Sequence, residues 1–313
     1  MALILCITPN PAIDRTLVLS ELRPGEVVRP EQVIISAGGK GLNVARALQI
    51  LGAAARCCGP AGGHHGRMLA ALAAADGLAA HWTDIAEETR VCTILVDRTS
   101  GLSTGIYERG EPLAPEEWAR FTADALRLAG ACRLACICGS LPAGVPPQAL
   151  GELVAALQAA GLPIWVDTSG PALEAALAAR PAGVKVNHEE AGALLGRSIE
   201  TPAAAAAAAR ALVAAGVGQA AITLGRRGAV LASQAGCWHA AAPAVEAVSA
   251  VGSGDAFFAG LLHGLATGAP PEAALCAGVA AGAANARHAG GGRFTREEYD
   301  AALGAASATV SPP

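Results

Sequence analysis

The sequence predicts an α/β fold, with one largely parallel sheet covered by helices on both faces and a second, smaller sheet beside it. Three observations carry this. From about residue 130 onward, short apolar runs alternate with stretches of helical periodicity, the pattern of successive β-α units. Residues 12–36 and 89–110 instead alternate polar and apolar positions between short turns, as strands with one exposed face do. Finally, 53% hydrophobic against 15% charged residues over 313 positions gives enough apolar surface for a large core.

Each element follows from local chemistry. The run Met1-Ala-Leu-Ile-Leu-Cys-Ile7 has no cationic start and no cleavage site, so it reads as a first strand and not as a leader. Thr16–Leu19 and Val91–Val96 supply strands of the small sheet. Leu134–Cys138 is a strand, and Leu150, Leu153, Val154 and Leu157 then share one helical face. Ile164–Asp167 is a strand followed by a helix led by Pro171. Val184–Asn187 precedes a helix with Glu189 and Glu190 in its first turn, where acids suit the helix dipole. The Ala203–Ala209 run is simple in composition but strongly helix-forming. Ala220–Leu224 and Gly228–Ser233 are strands around a Gly-Arg-Arg-Gly turn, and a long Ala/Gly/Leu helical region closes the chain from Asp255. No repeat or linker interrupts the pattern. Residues 1–313 therefore read as one domain, with the small sheet inserted as a lid.

Bulk chemistry excludes several functions. A net charge of -4 without a basic arm argues against nucleic acid and membrane surfaces as partners. The alanine-rich stretches break before the roughly 20 apolar residues of a membrane span, so a soluble cytoplasmic protein is expected. Nine cysteines without a C-x-x-C pair read as reduced, mostly buried thiols. His64-His65 and His188-Glu-Glu lack the H-E-x-x-H spacing of a metal hydrolase. Of 22 basic residues only Lys40 and Lys185 are lysines, which hints at places that want a compact ammonium and not a planar fork.

Four stretches carry candidate chemistry. In Val251-Gly-Ser-Gly-Asp-Ala-Phe-Phe-Ala-Gly260, glycines let the backbone approach a ligand and the following helix aims N–H groups at it. Asp255 falls in the first turn, placed to take a proton from a hydroxyl. Ser36-Ala-Gly-Gly-Lys-Gly-Leu-Asn-Val-Ala-Arg46 runs from a glycine cluster into a helix, but fits neither the Rossmann nor the Walker A spacing. Its amides, Lys40 and Asn43 would suit a polyhydroxylated ligand. Thr8-Pro-Asn-Pro-Ala-Ile-Asp14 ends the first strand and offers Asp14 to hydroxyls. Lys185-Val-Asn-His-Glu-Glu190 lies where a strand meets a helix, the ligand-facing edge of such sheets. Each has an ordinary alternative (a helix start, a tight turn, a solvated aspartate, a capping pair), and none decides alone.

Together, in this order, they resemble the ribokinase-like sugar kinases of the PfkB family. The likeness is greatest to the phosphosugar branch that holds 1-phosphofructokinase, tagatose-6-phosphate kinase and the minor 6-phosphofructokinase. Further matching stretches are TR at 89–90, CGSLPAGV at 138–145, VDTSG at 166–170 and TLGRRGA at 223–229. The resemblance implies a three-layer α/β/α ribokinase-like core with a β-sheet lid used for homodimerisation, and ATP with Mg2+ as cofactors. It implies Asp255 as catalytic base and Gly252, Ser253 and Gly254 as an anion hole. Asn187, with Lys185, Thr223, Gly225 and Gly228, would serve ATP, and Glu190 would hold the magnesium through water. Asp14, Gly38, Gly39, Lys40, Asn43 and Ser140 would hold the sugar. Arg29 and Arg90 match arginines of the phosphosugar branch and would clamp the substrate's own phosphate. The departures are Val186 for the usual proline and Ser253 for the usual alanine; neither removes a proposed ligand. A kinase of an unphosphorylated sugar or nucleoside, or a non-catalytic sugar-phosphate sensor, are the alternatives.

Overall fold

A computed structural model describes residues 3–311. Its elements in chain order begin with β1 (Leu3–Ile7), β2 (Ala12–Leu19), β3 (Gln32–Gly38), α1 (Lys40–Ile50), β4 (Ala54–Gly62), α2 (Gly63–Ala75) and β5 (Ala79–Ile85). Next come β6 (Val91–Asp97), β7 (Ser103–Tyr107), α3 (Pro115–Ala129), β8 (Leu134–Cys138), α4 (Gln148–Ala159), β9 (Ile164–Asp167) and α5 (Gly170–Ala178). The remainder comprises β10 (Gly183–Asn187), α6 (His188–Leu195), α7 (Pro202–Ala214), β11 (Gln219–Thr223), β12 (Ala229–Ser233), β13 (Gly236–Ala240), α8 (Ser253–Ala266), α9 (Pro271–Ala286), α10 (Arg296–Ala305) and β14 (Ala308–Val310). A 3-10 turn, Gly225–Arg227, joins β11 to β12.

The large sheet has ten strands in the order β14-β13-β12-β11-β10-β9-β8-β1-β4-β5. It is parallel from β5 to β11 and antiparallel from β12 onward. Side chains alternate between its faces. Cys6, Cys136 and Cys138 enter the core shared with α1, α8 and α9, whereas Leu5, Ile7 and Ile137 face α3 and α4. Helices thus cover both faces, which is why the strands read as unbroken apolar runs. The four-stranded small sheet, ordered β3-β2-β6-β7, pairs β2 with β6 in parallel and both outer strands antiparallel.

The closing helical region is not one helix. It divides at Gly268-Ala-Pro270 and again at Gly290-Gly-Gly292, and the edge strand β14 follows α10. Small residues set the α8–α9 spacing: a Cβ on Gly260 would stand 2.3 Å from the Ala277 carbonyl oxygen. The two helices therefore meet backbone against backbone.

Candidate active site

The site forms where the carboxyl ends of the parallel strands face the starts of α1, α6 and α8, the usual ligand edge of an open α/β sheet. Gly252 turns the chain into α8 with φ 77°, and a Cβ there would lie 2.2 Å from Gly291 Cα. Both the left-handed conformation and the close approach require glycine. The Ser253 N–H donates to the Ala250 carbonyl at 3.2 Å and the Asp255 N–H to that of Gly252 at 3.1 Å. Of the predicted anion hole the Ser253 N–H is thus engaged, as is the neighbouring Asp255 N–H. Among the described residues the Gly254 N–H makes no such bond, and a Cβ on Gly254 would sit 3.1 Å from Lys185 Nζ.

Asp255 lies in the first turn of α8 and is 7% exposed. Its Oδ2 accepts a hydrogen bond from Asn43 Nδ2 at 2.8 Å, joining α8 to α1 across 212 positions of sequence. Burial pushes its carboxyl up to about 6; the neighbouring Asp167 adds to this, while Lys40, Lys185 and the Asn43 bond oppose it. Asp14, on β2, is also raised to about 6 by burial, against the charges of Arg46 and Arg90 and a hydrogen bond from the Gly39 N–H. Gly38 leaves room for it: a Cβ there would stand 2.3 Å from the Asp14 carboxyl carbon.

Sequence reasoning quoted the stretch containing Asp167 but gave that residue no role. It ends β9 with no exposed surface. Lys40 Nζ binds its Oδ1 at 2.7 Å and Lys185 Nζ its Oδ2 at 2.8 Å. Burial alone would raise this carboxyl, but the two ammoniums outweigh that and hold it lowered. The signal was present, since both lysines of the chain were marked and VDTSG ends a parallel strand. Lys40, assigned to the sugar, and Lys185, assigned to the nucleotide, thus meet at one buried anion.

Asn187 and Glu190 form a reciprocal capping box on α6: Asn187 Oδ1 accepts from the Glu190 N–H at 2.7 Å, and Glu190 Oε2 from the Asn187 N–H at 2.8 Å. Asn187 pairs in register with Thr223 at the end of β11, and Gly225 and Gly228 flank the turn that follows. These nucleotide-side candidates therefore share one sheet edge. On the other side, Ser140 Oγ accepts from Asn10 Nδ2 at 3.3 Å. The Arg90 guanidinium donates to the carbonyls of Asn10 at 2.9 Å and Glu108 at 3.0 Å. Arg29 stands exposed between β2 and β3 and makes no side-chain hydrogen bond or ion pair among the described residues.

A hard divalent cation fits the donor chemistry only in part. No group of three or more His, Cys, Asp or Glu residues among those described could hold a metal ion. Asp167 is occupied by its lysines. The oxygen donors that remain, Glu190 foremost, suit an ion bound chiefly through phosphate oxygens and water.

A buried carboxylate of raised proton affinity at a glycine-turned helix start, with Lys40 and Lys185 facing it, has the chemistry of a proton acceptor beside an anion-binding helix end. Similar proteins agree with that chemistry. The profile of the pfkB family of carbohydrate kinases matches residues 4–297. The chain is 37% identical over 260 residues to the 1-phosphofructokinase of Rhodobacter capsulatus, covering 83% of this chain and 82% of that one. It is 34% identical to the 1-phosphofructokinase of Escherichia coli K12, with 83% of each covered. The solved structure of the tetrameric inhibited form of Escherichia coli phosphofructokinase-2 superposes with TM-score 0.90 at 30% identity, covering 97% of this chain and 99% of that one. The chain belongs to the PfkB family and is an ATP-dependent carbohydrate kinase.

Proposed function

We propose that the enzyme phosphorylates a hexose phosphate of the fructose 1-phosphate type, with Asp255 as the base that takes the acceptor hydroxyl's proton. The observation that carries this is the placement of Asp255, buried at a glycine-turned helix start and held by Asn43. Its carboxyl, raised to about 6, is ionised at neutral pH yet basic enough to accept a proton in the transition state. Asp14, which faces Asp255, and Gly38 beside it would orient the sugar. Arg90 would meet the existing phosphate. The Gly254 N–H and the two lysines would face the transferring group, so catalysis here is positioning and charge balance. ATP and magnesium are the proposed cofactors; the metal, held by ATP phosphates and Glu190 through water, supplies charge neutralisation of the transferring phosphoryl group.

The relatives' shared name favours fructose 1-phosphate over tagatose 6-phosphate. Turnover of ATP with fructose 1-phosphate, fructose 6-phosphate, tagatose 6-phosphate, ribose and adenosine tests the reading. Activity confined to ribose or adenosine would overturn it; binding without turnover on any acceptor would support a sensor.

We further propose a homodimer through the small sheet, acting as a lid. Its outer strand β7 is exposed throughout, and Val33 and Ile35 of β3 and Ile106 of β7 stand exposed on one face of the sheet. A cytoplasmic setting is supported by the nine free cysteines. Among the described residues no helix is long and apolar enough to cross a membrane.

A further inference from the structure

Arg46 belongs to none of the ligand-facing sets above, yet it is 6% exposed and fully engaged. It follows Asn43 by three positions on α1, so the two side chains lie on one face of the helix. Its three nitrogens end on three elements. Nε donates to Asp76 Oδ2, just past the end of α2, at 2.6 Å. One terminal nitrogen donates to Asn43 Oδ1 at 2.8 Å, and the other to the Ala37 carbonyl on β3.

An amide has a donor end and an acceptor end, and a guanidinium only donates. With Arg46 on Oδ1, the Asn43 NH2 must turn toward Asp255. The inverted amide would set NH2 against guanidinium and carbonyl oxygen against carboxylate, two repulsive contacts in a buried place. We infer that Arg46, anchored by Asp76, is a positioning residue that locks the Asn43 amide in the orientation that donates to Asp255. The inference rests on the reading of Asp255 as the base.

Other groups face Asp255 as well: Lys40 from α1, Lys185 from β10, Asp167 from β9, Asp14 from β2, the Cys138 thiol from β8 and Tyr107 from β7. Arg46 itself faces Asp76, Asp14 and the Cys57 thiol. The lysines and Asn43 favour the ionised carboxylate of Asp255, whereas burial and Asp167 oppose it. Releasing the amide removes one favourable partner and moves the carboxyl further up.

The test is kcat against pH with fructose 1-phosphate and ATP, for wild type, Asp255→Asn, Arg46→Lys, Asp76→Asn, Asn43→Leu and the Arg46→Lys/Asn43→Leu double variant. A lysine cannot reach three acceptors at once, so Arg46→Lys is expected to lose about tenfold in kcat, with its acid limb about half a pH unit higher and both KM values within about threefold. Asp76→Asn should move the same quantities in the same direction, by about threefold in kcat. The double variant should match Asn43→Leu alone, because Arg46 acts through that amide. Additive losses in the double variant, which a merely structural role would give, overturn the inference. So does an unmoved acid limb in Arg46→Lys and Asp76→Asn. If Arg46→Lys fails to fold, Asp76→Asn decides alone, since 26% of the Asp76 side chain is exposed. An active Asp255→Asn removes the base assignment itself; an inactive one beside unmoved acid limbs removes only the positioning role.

Discussion

Lys40 and Lys185 close on opposite oxygens of Asp167, at 2.7 and 2.8 Å, and they are the only lysines in the chain. The two bonds are not equivalent. Lys185 has 5% of its side chain exposed and Lys40 has 36%. Water can partly replace the Lys40 ammonium but cannot reach the other. Lys185→Met is therefore expected to destabilise the protein by about 3 kcal/mol, as the loss of one partner of a buried pair does, and Lys40→Met by about 1 kcal/mol. Urea unfolding measures both, and the reverse ranking would contradict this account of the pair.

Asp255→Asn should keep the hydrogen bonding of the pocket but remove the proton acceptor. We expect kcat to fall by about three orders of magnitude with ATP affinity within about twofold. Steady-state kinetics with calorimetric ATP titration checks it. Retention of most activity would take residue 255 out of the base role.

Activity should also depend on pH with a definite sign. The Asp255 carboxyl lies near 6, not at its ordinary 3.8, because burial outweighs the attraction of Lys40. Below that value it is protonated and cannot accept; above it, the base is available. kcat/KM is thus expected to drop as pH falls through about 6, and an acid limb near 4 would show that the carboxylate is not raised. Lys40→Met removes the largest opposing charge, so its acid limb should move upward.

The two candidate arginines should separate. Arg90 is tied to the carbonyls of Asn10 and Glu108 beside Ser140, whereas Arg29 stands free in an exposed connection. Arg90→Ala is expected to raise KM for the sugar phosphate by about tenfold with KM for ATP little changed, and Arg29→Ala to do less. Equal effects on both substrates would count against a phosphate clamp at Arg90.

What the sequence disclosed follows from how local each signal is. β8 and β9 fall on the residues their apolar runs mark, and α4 carries its Leu150, Leu153, Val154 and Leu157 face buried. The Asn187–Glu190 capping box is a contact over three residues, and its spacing was visible. β4 carries Gly59-Pro60 within a strand, and β5 mixes His81 and Asp84 with apolar positions, so periodicity marked neither. The site's central contacts are the opposite of local. Lys40 reaches Asp167 across 127 positions and Asn43 reaches Asp255 across 212. Motifs named the participants, but only the topology brings them face to face. Arg46 escaped notice because an arginine on a helix reads as solvated surface unless its partners are known.

The glycine at position 260 has a consequence far from chemistry. Helix α8 is seated against α9 by the absence of atoms, with Gly260 over the Ala277 carbonyl and Gly264 over Ala274. Adding a single methyl at either place would act as a shim, tilting the rod whose first turn carries the Asp255 carboxyl. The depth at which Asp255 sits is thus gauged on the far side of the core, by what two residues do not possess.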